Sequence, residues 1–358
     1  MNPTADLALG AVADVPMAEF WSQGFGFDTS FSCLEAASLA HTLGRPVVAA
    51  EAFTAGGEEA MRQYPGSMKN QGDWALCAGI NRFVFHTFAH QPLGDARPGM
   101  TMGPYGVHWH RNQTWWPMAS EYHRYISRCS FLLRQGAAIA DILYLTPEGA
   151  PHVFRPPVSA LTGANPMPDR KGYNFDGCAP ETLEAHAGVK DGRIVFPGGS
   201  SYRLLVLPAF ETMTPSLLSK IAALVEQGAT LVGGPPLKSP SLSGYPACDE
   251  EVRAKAQTLW GSLEPPAAMT ERPFGKGRIC WGGNLTAAGS ELYPSYEATA
   301  ALLRKAGTPE DFESQGPVRY THRRTKELDI YFLANRTELP LDASCTFRVD
   351  RVLPELWD

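Results

Sequence analysis

Three short apolar runs alternate with helical stretches over the first ninety residues, and this alternation constrains the fold more than any other feature of the chain. Residues 11–21, AVADVPMAEFW, read as a buried strand that runs into Glu19. A loop with Gly24 and Gly26 follows, and Asp28 is placed to cap a helix from about Thr29 to Leu43, which Gly44 and Pro46 stop. PVVAAEAF is a second strand with Glu51 at its carboxyl end, a helix around Asp73–Ala78 comes next, and NRFVFHTF (81–88) is a third strand. Strands separated by helices lie parallel, because the chain must cross over to start each strand at the same end.

The segment 89–114, AHQPLGDARPGMTMGPYGVHWHRNQT, is long for an unstructured connection and dense in His, Gly and aromatic residues, as functional loops often are. Trp115 opens the next predicted helix, with Trp115, Met118, Tyr122, Ile126, Cys129 and Leu133 on one face. From 137 the texture changes. ADILYLTP is a strand, and YRLLVLP, a helix entered through Thr214-Pro215 and ATLVGG form a strand–helix–strand unit. After about Gln315 the pattern becomes β, with DIYFLANRT and ASCTFRV read as two antiparallel strands of an incomplete sandwich. The reading is therefore three units, 1–136, 137–315 and 316–358, with no internal repeat.

Composition excludes several classes of function. With 44% hydrophobic and 19% charged residues the chain is not disordered, and 31 Lys and Arg against 37 Asp and Glu give no electrostatic reason to bind a polyanion, so no nucleic acid is expected. No apolar run approaches the roughly 18–20 residues of a membrane span, and the first residues lack the basic start and apolar core of a signal peptide. The 7 cysteines are dispersed, without CxxC or Cys/His spacing, and read as free buried thiols.

Candidate chemistry gathers in the first unit. Carboxylates at the ends of successive parallel strands, Glu19 and Glu51, sit where barrel active sites are built, and paired carboxylates are what glycoside hydrolysis uses. Helix capping or an arginine partner is the competing role for each. His86, His90, Tyr105, His108, Trp109, His110, Arg111, Trp115 and Trp116 supply the aromatic faces and polar donors that a sugar requires. His108 and His110 form an HxH pair, which without a matching carboxylate motif is weak metal spacing. GGPP (233–236) lacks phosphate-loop spacing. The α/β texture of 137–315 suggests an amidotransferase-like domain, but no cysteine is expected on the strand-to-helix elbow such enzymes need, so this unit reads as non-catalytic. NQT at 112 and NRT at 335 match glycosylation sequons and carry little weight.

The runs DVPMAEFW, GRPVVAAEAFT, FVFHTFAHQP and PGMTMGPYGVHWHRNQTWWP resemble the catalytic barrel of glycoside hydrolase family 106, the bacterial α-L-rhamnosidases, and ADILYLTPEG, PDRKGYNFDG, YFLANRT and LPELWD extend the resemblance along the chain. The order of units is also similar to family 42 β-galactosidases. The resemblance implies the C-terminal part of a (β/α)8 barrel, an amidotransferase-like α/β domain and the start of a β-sandwich. It implies an inverting rhamnosidase acting on carbohydrate, with Glu51 on barrel strand seven as general base. Glu19, on strand six, is then a second catalytic group or a ligand for calcium. Strands one to five and the general acid are expected upstream of Met1, so that the 358 residues alone are a poor enzyme. A periplasmic or secreted address is implied for the family. A β-galactosidase-like glycosidase and a non-catalytic carbohydrate-binding remnant are the alternatives.

Overall fold

The computed structural model describes residues 4–22, 30–163 and 167–357. Asp28 and Thr29, expected to start the first long helix, lie outside these residues. A short helix α1 (Asp6–Gly10) leads to β1 (Met17–Trp21), then α2 (Ser30–Leu43), β2 (Ala49–Thr54), α3 (Pro65–Ala78), β3 (Arg82–Phe85) and α4 (Ala119–Leu132). The three strands form one parallel sheet in the order β1–β2–β3. The alternation seen in the sequence is thus real, and among the described residues the sheet does not close into a barrel.

Two boundaries differ from the sequence reading for local reasons. Residues 11–16 are not strand, because the N–H groups of Ala11, Val12 and Ala13 bond back to the carbonyls of Ala8, Leu9 and Gly10 and prolong the α1 turn. The strand begins only after Pro16, which has no N–H to give a ladder. At the other edge, the chain leaves β3 after the His86 N–H bonds the Ala52 carbonyl, and Thr87 pairs with Val107 and Trp109 on the returning loop.

One face of the sheet is covered. Ala18, Phe20, Ala50, Ala52 and Phe53 pack against Cys33, Ala36, Ala37 and Ala40 of α2, Met68, Trp74, Ala75 and Ala78 of α3, and Tyr122 and Ile126 of α4. The other face carries Met17, Glu19, Trp21, Glu51, Arg82 and Val84, half-buried or exposed, with Ala49 and Thr54 buried among them. Among the described residues the helices pack on the first face, and Glu19 and Glu51 lie on the other.

The second unit is a six-stranded sheet in which Phe175–Cys178, Ile142–Leu145, Leu204–Val206, Thr230–Val232 and Gly277–Trp281 run parallel and Thr270–Phe274 adds an antiparallel edge. The strand–helix–strand unit at 202–232 forms as the sequence reads, with the Thr214 hydroxyl accepting from the Leu217 N–H at the helix start and Gly228 ending it. The C-terminal strands pair as follows. Asp329–Asn335 pairs with Val318–Arg324, which also pairs with Ala137–Ala138, while Cys345–Phe347 pairs with Phe312–Ser314. The two segments read as antiparallel strands both form and lie in different sheets, each with its antiparallel partner in a segment the alternation pattern did not single out.

Candidate functional site

Glu19 of β1 and Glu51 of β2 are register partners in the parallel ladder. Their backbones are therefore one strand spacing apart, about 4.8 Å, and both side chains emerge on the face opposite the described helices. Neither ends its strand, since two residues follow Glu19 in β1 and three follow Glu51 in β2. Each carboxylate has its own neutral donor. The Trp21 indole N–H donates to Glu19 Oε1, and the Thr54 hydroxyl donates to Glu51 Oε1 at 3.1 Å. The Glu19 backbone N–H in turn donates to Ser32 Oγ at 3.1 Å, tying the strand to α2.

The Thr54 contact depends on a β-bulge. Glu19 pairs with Glu51 but Trp21 pairs with Thr54, so β2 carries one extra residue over this interval. That residue is accommodated at Phe53, whose φ of 63° lies in the left-handed region. As a result Ala52 and Phe53, consecutive in sequence, both face the core, and Thr54 returns to the side of Glu51. In a regular strand, residues three apart point to opposite faces. A non-glycine residue held there costs about 1–3 kcal/mol. The Phe53 ring offsets this by packing at 5.1 Å edge-on to Phe20 and stacking on Phe83 at 5.8 Å and Phe85 at 6.0 Å. Trp21 and Thr54 were both missed in the sequence. Trp21 had the signal, two residues from Glu19 and hence on its face, whereas Thr54 becomes visible only once the bulge is known.

The loop residues separate into distinct surroundings. Tyr105 is exposed and meets the Trp21 ring edge-on at 5.8 Å, which brings it to the carboxylates. His86 is half-buried at the end of β3, and His90 is exposed. Trp109 and Trp115 lie in the core instead of on an open platform. The Trp109 ring is 4.1 Å from Phe85 and stacked on Tyr122 at 6.1 Å, and the Trp115 N–H donates to the Gln63 carbonyl at 3.2 Å. His108 is buried, its Nε2 accepting from the Met102 N–H at 3.1 Å and its Nδ1 lying 2.9 Å from the Met61 sulfur. His110 accepts from the Asn112 N–H through Nδ1 at 3.2 Å. Burial lowers the pKa of both imidazoles, helped by His110 and His86 around His108 and by Arg111 beside His110. Arg111 and Gln91 brace the loop: Arg111 donates to the Gln91 carbonyl at 2.8 Å, and the buried Gln91 amide donates to the Met100 carbonyl at 2.7 Å. Asn112 of the sequon donates to the Pro98 carbonyl at 3.0 Å. Trp116 opens a short 3-10 turn ahead of α4.

One cysteine needs correction. Cys178 does end a strand directly before the helix Pro180–His186, the position in which the sequence reading found none. It is nevertheless buried, burial drives its thiol pKa far up, and the thiol donates to the Ala179 carbonyl at 3.3 Å. A thiol that burial keeps protonated is a poor nucleophile.

Glu19 offers calcium a hard oxygen donor, but calcium takes 6–8 oxygens, and among the described residues no group of three or more His, Cys, Asp or Glu surrounds a common point. The described residues therefore contribute two adjacent carboxylates and do not complete a metal site. Among these residues no helix is long and apolar enough to cross a membrane.

Comparison with known proteins bears on this site. Residues 2–358 match the family model of glycoside hydrolase family 106, described as alpha-L-rhamnosidase. A Formosa agariphila protein named "Putative beta-glucuronidase" is 34% identical over 363 residues, covering 99% of this chain and 27% of its own length. The structure of a rhamnosidase from Novosphingobium sp. PP1Y superimposes with a TM-score of 0.77 at 29% identity, over 96% of this chain and 31% of that one. The chain thus spans less than a third of either relative. A β-galactosidase from Rahnella sp. R3 shares the fold, with a TM-score of 0.51 at 11% identity over 92% of this chain and 56% of that one.

Proposed function

The chain belongs to glycoside hydrolase family 106, and from that premise we propose that the protein hydrolyses terminal α-L-rhamnosides with inversion, using Glu51 as general base. The observation that carries the site is the Glu19–Glu51 register pair on the face opposite the described helices. In this reading β1–β3 are the last strands of a (β/α)8 barrel, and their open face becomes the barrel interior once further strands pair with the free edges of β1 and β3. The six-stranded sheet is an amidotransferase-like, non-catalytic domain, and the C-terminal strands begin a β-sandwich.

The division of labour follows from spacing. An inverting pair holds its carboxyl groups roughly 6.5–9.5 Å apart, leaving room for water. Two glutamates on backbones about 4.8 Å apart favour one catalytic carboxylate and one ligand, so Glu51 activates water and Glu19 holds sugar hydroxyls or calcium. In this reading neither glutamate is the general acid, a role left to another residue of the complete enzyme. Tyr105, beside Trp21, covers an apolar sugar face, and His86 and His90 are assigned to the sugar hydroxyls on the family resemblance alone. Calcium, when bound, would neutralise charge beside the sugar and fix its hydroxyls.

The test is release of rhamnose from an aryl α-L-rhamnoside by the enzyme its gene encodes, with the aryl β-D-glucuronide and β-D-galactoside in parallel. Glu51→Gln should lower turnover by on the order of 10²–10⁴-fold, the contribution of a positioned base, with its circular dichroism unchanged. Preferential cleavage of the glucuronide would move the substrate to the class named for the Formosa relative. Binding of rhamnose without hydrolysis of any of the three would make the protein a carbohydrate-binding remnant.

A further inference from the structure

We propose that Thr54 is a positioning residue for Glu51, set in place by the bulge at Phe53; the inference rests on the catalytic reading of Glu51 given above. Residues at i and i+3 of a regular strand point apart, and the 3.1 Å bond from Thr54 Oγ to Glu51 Oε1 exists because the extra residue returns Thr54 to the carboxylate's face. Bulges recur beside active sites for this purpose, re-aiming one side chain while the ladder continues. Pairing with the first strand resumes here, with the Ser22 N–H bonding the Thr54 carbonyl at 2.7 Å, and a loop N–H, that of Gly106, bonds the Ala55 carbonyl at 2.7 Å. Thr54 is itself buried, and as a β-branched residue it has few side-chain conformations, so its hydroxyl is a fixed donor. It occupies Oε1 and leaves Oε2 to receive a proton from water. Glu19 likewise has one oxygen tied, by the Trp21 indole, and among the described residues the second oxygen of each carboxylate has no hydrogen-bond donor.

Thr54→Val keeps the shape and removes the donor, while Thr54→Ser keeps the donor and loosens the rotamer. Thr54→Val should lower kcat on an aryl α-L-rhamnoside by roughly 10- to 100-fold, the value of one hydrogen bond to a charged group, with KM and melting temperature little changed. Thr54→Ser should recover most of the loss. Wild-type kcat in Thr54→Val, or equal damage in the serine and valine variants, overturns the inference. Glu51→Gln run alongside separates the two failures. An active Glu51→Gln removes the catalytic reading and this inference with it, whereas an inactive Glu51→Gln beside a fully active Thr54→Val removes the Thr54 role alone. A readout independent of turnover is the Glu51 side-chain conformation in crystals of the wild type and Thr54→Val. Displacement in the variant supports the inference, and an unchanged carboxylate overturns it.

Discussion

His41 of α2 places its Nδ1 3.0 Å from each oxygen of Asp176, a residue of the edge strand Phe175–Cys178 of the neighbouring sheet. Tyr202 donates to the same carboxylate at 2.8 Å, and Ser38 lies 3.4 Å from it while accepting the Gly177 N–H. The helix that follows the Glu19 strand is thereby fastened to the second sheet through one buried carboxylate. Burial alone pushes the Asp176 pKa up, but His41, Arg170 and Tyr202 together hold it below the usual value.

A depressed folded-state pKa stabilises the protein above the unfolded value, near 3.8, and that stability is lost as pH falls through the folded value. Asp176→Asn should cost about 3–5 kcal/mol, as for a broken buried pair. It should also flatten the acid side of the stability profile. Thermal unfolding from pH 2 to 6 measures both, and a variant as stable as wild type would show that the carboxylate does not hold α2 to the sheet.

Glu35, also on α2, predicts the opposite trend. Burial raises its pKa to about 8, against the Phe154 N–H that bonds it at 2.5 Å, with Asp6 adding to the rise and Arg155 opposing it. A carboxyl neutral in the folded state stabilises fully below its unfolded value of 4.5, and the benefit declines as pH rises toward about 8. Glu35→Gln keeps the acceptor for Phe154 and removes the titration. Its melting temperature should vary less than wild type's between pH 5 and 8, and an identical pH dependence in the two proteins would remove Glu35 as the source.

Tyr105 and Trp109 should separate sharply on substitution. Tyr105→Ala removes an exposed ring beside Trp21 and should raise KM for the rhamnoside several-fold with the fold intact. Trp109→Ala empties a core position and should cost about 3–5 kcal/mol. Melting curves and KM measured on both variants check the contrast. An unchanged KM in the first would take Tyr105 out of the sugar site, and undiminished stability in the second would take Trp109 out of the core.

Calcium is tested by chelation. If Glu19 is a ligand, chelator should lower rhamnosidase turnover and added calcium should restore it. Glu19→Gln should weaken calcium binding, followed by calorimetry, by at least the roughly 10- to 100-fold that an outer-shell partner is worth. No heat of binding to the wild type would leave Glu19 as a sugar ligand.

Much of this molecule was legible before any coordinates. Apolar runs of strand length separated by helical periods dictated parallel strands, and a glutamate set into each of two such runs dictated a pair of carboxylates. Thr214-Pro215 and Gly228 bounded a helix because capping is a local matter of which backbone groups lack partners. The sequence alone determined which elements form and which carry acid groups, since these depend on neighbours within a turn or a pleat. Only the tertiary structure decided register, faces and partners. It set Glu19 against Glu51, closed Trp109 and Trp115 into the core, placed Cys178 at a strand end where burial keeps its thiol protonated, and sent Asp329–Asn335 and Cys345–Phe347 to separate sheets. It also turned Thr54 onto Glu51 through one left-handed residue at Phe53. These outcomes depend on contacts between residues far apart in the chain, and the extra residue of a bulge leaves no trace in a pattern of period two.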